Sequence, residues 1–185
     1  MHRDIDRILF SEGSIRERVV SLGRRITHET AGEDVVMLAL LKGGVVFLAD
    51  LIRAIERPLH LDFAWVSSYG AGTESSGHVE LKVFPEEDLA GKLVIIVDDI
   101  LDTGRTLRRV SERLIQESGA REVRTCVLLD KKARRAVELE ADYVGFEVDD
   151  LFVVGYGLDY GDRYRNLPYI GVLKEHLYRQ SAAAT

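Results

Sequence analysis

Leu93-Val94-Ile95-Ile96-Val97-Asp98-Asp99-Ile100-Leu101-Asp102-Thr103-Gly104-Arg105-Thr106 passes from an unbroken apolar run to a cluster of acids and then to a small, hydroxyl-rich turn. An apolar run without alternation is the signature of a strand buried on both faces, so a strand is predicted over Leu93–Asp98. Carboxylates are costly to bury unpaired, which places Asp98 and Asp99 where this strand emerges. Adjacent carboxylates there suit a vicinal diol or a divalent cation. Gly104 frees the backbone, and Thr103 and Thr106 offer hydroxyls. A helix predicted over Thr106–Ser118 points its first amides at the same place, which favours a phosphate dianion. Acids for a sugar or metal, followed at once by a phosphate nest, describe a site for a phosphorylated sugar. A plain turn capped by Thr106 accounts for one or two of the acids, but not for three acids plus Thr-Gly-Arg-Thr. The loop lacks the Gly-Lys-Ser/Thr ending of a Walker A loop.

Outward from this segment, strands and helices alternate. Ile15, Val19, Leu22 and Ile26 recur at helical spacing and predict a helix over Ser14–Glu29. Val35–Leu41 is a second continuous apolar run, ended by Gly43-Gly44. A helix over Val45–Ile55 and a strand over Leu59–Ser67 follow. Residues 69–78 are rich in Gly, Ser and Thr without periodicity, which predicts a mobile loop, and Val79–Val83 alternates as a strand leading out of it. Beyond Gly119, a helix stop, lie a strand over Val123–Leu129 and short extended pieces at Tyr143–Val148 and Leu151–Val154. This order implies an α/β fold, a parallel sheet covered by helices on both faces. Ligands bind such sheets at the carboxyl ends of strands. The residues after Leu41, Asp98 and Leu129 are therefore where a site is expected.

Composition narrows the function classes. A chain of 185 residues can form one domain with its own core, and 46% hydrophobic with 30% charged residues is ordinary for a globular protein. A net charge of −6 and a pI near 5.4 count against nonspecific nucleic-acid binding, which needs a basic surface. The single cysteine, Cys126, cannot form an internal disulfide and lies in an apolar run, where it reads as a small buried hydrophobe. Met1–Phe10 has no apolar stretch long enough for a signal peptide, and no apolar run approaches the ~20 residues of a membrane-spanning helix. A cytoplasmic protein without membrane partners is expected.

Val97-Asp98-Asp99 through Thr106 resembles the phosphoribosyl pyrophosphate (PRPP) motif of type I phosphoribosyltransferases. More narrowly, the chain resembles the bacterial hypoxanthine-guanine phosphoribosyltransferases. The likeness runs from Leu40 to about Gly171. It includes Leu41-Lys42-Gly43-Gly44, Ser67-Ser68-Tyr69-Gly70, Leu128-Leu129-Asp130-Lys131, Phe152-Val153-Val154-Gly155-Tyr156-Gly157-Leu158-Asp159-Tyr160 and Arg163-Tyr164-Arg165-Asn166-Leu167-Pro168. The resemblance implies a single phosphoribosyltransferase domain over residues 1–185. Its core spans about 30–140, a small hood is made from the N-terminal segment and about 142–180, and a mobile lid covers 68–78. It implies Mg²⁺ as cofactor, PRPP and hypoxanthine or guanine as substrates, no nucleic-acid partner, and a homo-oligomer, dimer or tetramer.

Site roles follow from the same resemblance. Asp102 matches the general base near purine N7. Asp98 and Asp99 match the pair that meets the ribose hydroxyls or the metal, with Asp159 a further metal contact also near the base. Thr103, Gly104, Arg105 and Thr106 match the 5′-phosphate cradle. Lys42 and Gly43, with a cis peptide before Lys42, match the pyrophosphate loop. Arg165 matches a pyrophosphate arginine, a residue suited to bidentate phosphate contact, and Ser68 and Tyr69 match the lid tip. Lys131 matches the donor to the purine O6, which selects 6-oxopurines because a 6-amino group cannot accept. Phe152 matches the aromatic that stacks on the base, and Val153 offers its carbonyl to the purine edge. Two other readings share the acid pair and the phosphate loop. An adenine or orotate transferase lacks the equivalents of Asp102 and Phe152-Val153-Val154-Gly155-Tyr156. An RNA-binding regulator of pyrimidine genes carries tyrosine in place of Asp102 and needs a basic face. A scaffold that binds nucleotides without turnover is a third.

Overall fold

The computed structural model describes residues 1–68, 79–83 and 85–179. Its centre is a six-stranded sheet made of β2 (Val35–Leu41), β3 (His60–Ser68), β4 (Val79–Val83), β5 (Leu93–Leu101), β6 (Glu122–Asp130) and β7 (Tyr143–Glu147), in the order β4-β3-β2-β5-β6-β7. All pairs are parallel except β3–β4, so the expected parallel sheet carries one antiparallel edge strand. In β2 and β5, Val35 faces Leu93 and Ala39 faces Val97. This register brings the carboxyl ends of the two central strands together.

Both central strands are buried on both faces, as their unbroken apolar runs predict, and alternate residues feed two separate cores. Val35, Met37, Ala39, Leu93, Ile95 and Val97 pack with α1 (Glu12–Glu29) and α2 (Gly44–Arg53) on one face. Val36, Leu38, Leu40, Val94 and Ile96 pack with Leu107, Val110 and Leu114 of α3 (Arg105–Ser118) on the other. Helix α1 begins two residues before the expected start, because the Ser11 hydroxyl accepts from the Ser14 amide and caps it. Helix α3 stops at Gly119, which takes the left-handed conformation expected of a C-terminal cap.

Three features differ from the sequence expectation. Strand β5 does not end at Asp98. It continues to Leu101 because β6 goes on pairing with it, Asp98 opposite Val127, Ile100 opposite Leu129 and Leu101 opposite Asp130. The acid pair therefore lies within the strand. Of the extended piece Leu151–Val154, only β8 (Val153–Val154) is a strand. A second sheet, β1-β9-β8, joins β1 (Ile5–Phe10) to β9 (Ile170–Leu173) antiparallel. Neither β1 nor β9 was expected. The short helix α4 (Glu175–Arg179) follows β9. Among the described residues no helix is long and apolar enough to cross a membrane.

Ile5 is 1% exposed and packs with Val154 and Leu173 in the core of the small sheet. Truncating a buried isoleucine to alanine costs about 2–5 kcal/mol. Ile5→Ala is expected to lower the unfolding free energy by that amount in a urea titration. An unchanged midpoint would show that the N-terminal strand adds nothing to the folded unit.

Candidate active site

The acid pair sits on the central strand of a dry sheet, and its electrostatics follow from that position. Asp98 and Asp99 are both partly buried. Burial pushes the Asp98 carboxyl well above the ordinary carboxylate range, and the adjacent charge of Asp99 adds to the effect. Burial also raises Asp99, against the opposing pull of its hydrogen bond with Asp98 and of the Arg165 charge. The Asp99 amide donates to Asp98 Oδ1 at 3.0 Å. The strand end is thus a concentration of negative charge with few local donors.

The β2–α2 turn closes directly on this pair. The Leu41–Lys42 peptide is cis, as the resemblance implies. A Cβ on Gly43 would overlap the Asp99 carboxylate, so only glycine lets the turn approach so closely. Lys42 Nζ reaches Asp162 Oδ1 at 3.1 Å. Asp162 also pairs with Arg165 at 3.3 Å, and Arg165 makes a shorter contact of 2.7 Å to Asp159 Oδ1. Arg165 NH1 donates to the Gly157 carbonyl at 2.6 Å. Lys42, Gly43, Asp99, Asp159 and Arg165, drawn from three distant segments, are therefore brought together. Asp162 completes the network. No motif pointed to it, and its role depends on the fold of the Asp159–Arg165 loop.

The turn after β5 forms the other wall. Gly104 has φ +80°, the left-handed conformation its position before α3 requires. Helix α3 starts at Arg105, one residue earlier than expected. The Arg105 amide lies 3.5 Å from the Thr103 hydroxyl, so Thr103 through Thr106 form a helix N-terminus of the kind that receives anions. Asp102 has one buried oxygen, Oδ1, with no donor, while Oδ2 lies 3.6 Å from Arg134 NH1. A buried acceptor without a donor costs about 1–3 kcal/mol and is the kind of feature that function accounts for.

Lys131, Phe152 and Val153, which were expected to meet a base, lie at the ends of β6 and β8. Lys131 follows β6, is buried, and donates from Nζ to the Leu151 carbonyl at 2.8 Å, with Asp150 Oδ1 3.5 Å away. Phe152 precedes β8, and Val153 is its buried first residue. One face of the Phe152 ring is stacked on Tyr178, with centroids 4.6 Å apart, and the Tyr160 ring meets it edge-on at 5.4 Å. Ser68 is the last residue of β3. Tyr69 and the rest of the expected lid, 69–78, lie outside the described residues. Among the described residues no three His, Cys, Asp or Glu side chains converge on a metal position, so Asp98, Asp99 and Asp159 do not form a complete cage by themselves. Mg²⁺ is commonly held by one or two carboxylates together with substrate phosphates, and the Asp98–Asp99 pair fits that mode.

Residues 17–161 match the phosphoribosyl transferase domain. The chain belongs to the phosphoribosyltransferase family. It is 47% identical over 180 residues to the bifunctional protein TilS/HprT of Listeria monocytogenes serotype 4b, covering 97% of this chain but only 28% of that protein's length. It is 44% identical over 178 residues to the hypoxanthine-guanine phosphoribosyltransferase of Streptococcus pneumoniae R6, covering 96% of this chain and 98% of that protein. The crystal structure of a hypoxanthine phosphoribosyltransferase from Staphylococcus aureus superposes with a TM-score of 0.91 at 43% identity, covering 96% of each chain.

Burial of the acid pair has a consequence for stability. Both carboxyls titrate above their unfolded value near 3.9, so the folded chain holds protons that the unfolded chain has released. Stability from the neutral form is present below about pH 4 and is lost as pH rises through the folded-state values. Asp98→Asn is expected to raise the melting temperature near pH 8, and the gain should shrink steadily toward pH 4 in a pH series of thermal melts. An equal gain at every pH would show that the pair is not strained by its charge.

Proposed function

We propose that this phosphoribosyltransferase moves the 5-phosphoribosyl group of PRPP to N9 of hypoxanthine or guanine, giving IMP or GMP and pyrophosphate. The observation that carries this reading is the meeting at Asp99 of two strand-end loops, Lys42-Gly43 after β2 and Asp98–Thr106 through the end of β5, beside Arg165 and Asp159. The names of the streptococcal and staphylococcal relatives support the choice of base.

On this reading Thr103, Gly104, Arg105 and Thr106 hold the 5′-phosphate at the amino end of α3, where unsatisfied amides and the helix dipole favour a dianion. Asp98 and Asp99 receive the ribose hydroxyls. Lys42 and Arg165 neutralise the pyrophosphate and Gly43 lets the backbone come close to it, with Lys42 released from Asp162 and Arg165 from Asp159 and Asp162 to do so. The bond from ribose C1′ to pyrophosphate oxygen breaks, the bond from C1′ to N9 forms, and the purine proton near N7 passes to Asp102. Lys131 has three donors, of which one goes to the Leu151 carbonyl, so it also serves O6. Phe152, held in place by Tyr178 and Tyr160, serves as the aromatic that stacks on the purine. Asp98 and Asp99, with Asp159 nearby, would hold Mg²⁺, which supplies positive charge against the pyrophosphate when bound.

The small sheet β1-β9-β8 serves as the hood that brings Phe152 and Val153 to the base, and residues 68–78 serve as the lid. Leu61, Phe63 and Trp65 form an exposed apolar stripe along one face of β3, which supports self-association. A cytoplasmic location fits a chain whose one cysteine is buried and free.

An ultraviolet assay of nucleotide formation with PRPP and Mg²⁺, offering hypoxanthine, guanine, xanthine, adenine and uracil separately, tests the reading. Activity with hypoxanthine or guanine, abolished by EDTA, is expected. Activity with adenine or uracil alone would keep the family and overturn the roles of Asp102 and Lys131. Asp102→Ala is expected to retain PRPP binding while turnover falls roughly 10²–10⁴-fold, the usual contribution of a positioned base. Unchanged turnover would remove Asp102 from the mechanism. Lys131→Ala is expected to weaken nucleotide binding and relax the rejection of adenine. An unaltered base preference in competition assays would show that O6 is read elsewhere.

A further inference from the structure

The single-turn 3-10 helix Lys132–Arg134 after β6 lies against the phosphate loop. The Ala136 amide donates to the Thr103 carbonyl at 2.9 Å. A Cβ on Gly104 would meet the Val137 methyl at 2.8 Å and the Arg135 stem at 3.2 Å. Arg135 in turn pairs with the buried Asp130 at the end of β6. The backbone of this segment and the phosphate loop are therefore locked together without any help from the Arg134 side chain.

The Arg134 guanidinium does something else. Its NH1 lies 3.6 Å from Asp102 Oδ2 and its Nε lies 3.9 Å from Asp150 Oδ1. Asp150 is in turn 3.5 Å from Lys131 Nζ. Asp102, Arg134, Asp150 and Lys131 thus form a row of alternating charge drawn from three segments of the chain. We propose that Arg134 is a positioning residue that fixes the Asp102 carboxylate and, through Asp150, ties it to Lys131. The proposal rests on the reading above, in which Asp102 meets the N7 side of the purine and Lys131 meets O6. N7 and O6 are neighbours on one edge of a 6-oxopurine, so a single cation between the two protein groups aligns them as a unit. Partly exposed pairs of this length add little to stability in the free protein. They strengthen when a bound substrate excludes water from them. The effect of Arg134 is therefore felt in turnover and not in folding.

Steady-state kinetics on four variants test this. Arg134→Ala is expected to lower kcat/KM for hypoxanthine roughly 10-fold, since a misplaced catalytic group is costly. The KM for PRPP should stay within roughly twofold, the split that separates positioning of the base from sugar-phosphate binding. Arg134→Lys should recover most of the loss. In an Asp102→Asn background, Arg134→Ala should make no further difference to the residual turnover, because the group it positions is gone. An unchanged kcat/KM in Arg134→Ala would overturn the proposal. So would a loss confined to the KM for PRPP, or a loss of equal size in the Asp102→Asn background. If Arg134→Ala melts early, Arg134→Gln keeps the side-chain stem and is read in the same way. Full turnover by Asp102→Asn alone would overturn the base role of Asp102 itself, and Arg134's role with it. That result is separable because it needs no change at Arg134.

Discussion

Two adjacent carboxylates on the central strand of a sheet buried on both faces govern the rest of this structure. Strand β5 cannot bend away from the core at Asp98, because β6 holds it as far as Leu101. The charge must therefore be accommodated where it stands. The β2–α2 turn comes to it only because Gly43 has no side chain, and Arg165, anchored on Gly157 and Asp159, supplies positive charge within reach. A few residues further along, the amides of α3 present the opposite polarity. A negative strand end beside a positive helix end matches a molecule with hydroxyls at one place and a phosphate at another. The spacing between the two is fixed by the β5–α3 turn.

Much of this was legible in the sequence, because the decisive elements are local. The apolar runs of β2 and β5 are buried on both faces as such runs must be, and Gly104 and Gly119 bracket α3 as the turn chemistry demands. Interactions between distant segments were harder to see. Strand β1 keeps only Ile5 fully buried, and its partner β9 lies more than 150 residues away, as in Ile5 opposite Leu173. Mixed polarity in a short segment carries little strand signal when the pairing that stabilises it is so remote. The continuation of β5 past Asp98 had the same cause, since it is β6 that extends the ladder. Asp162, Arg134 and Asp150 escaped notice for a related reason: each is an ordinary surface charge until the fold sets it beside a second segment.

Aromatic rings hold Phe152 against the smaller sheet. Phe152, Tyr160 and Tyr178 form a compact cluster in which the Tyr160 hydroxyl donates to the Leu177 carbonyl. Tyr164 reaches back to Asp4 with a 2.8 Å hydrogen bond. Residues near both ends of the chain thus support the platform at Phe152, and the position of that ring depends on contacts made far from the acid pair.

The pairing of β1 with β9 also orders events during synthesis. The central sheet has all its strands once Glu147 has been made, and the core on the α3 side is then complete, but the core on the α1 and α2 side still lacks Val153, Tyr156, Leu158, Ile170 and Val172. Strand β1 is made first, yet it finds its partner only after Ile170–Leu173 appears. The core beneath α1 and α2 and the small sheet that carries Phe152 therefore share their last pieces, and the two are completed by the same stretch of chain.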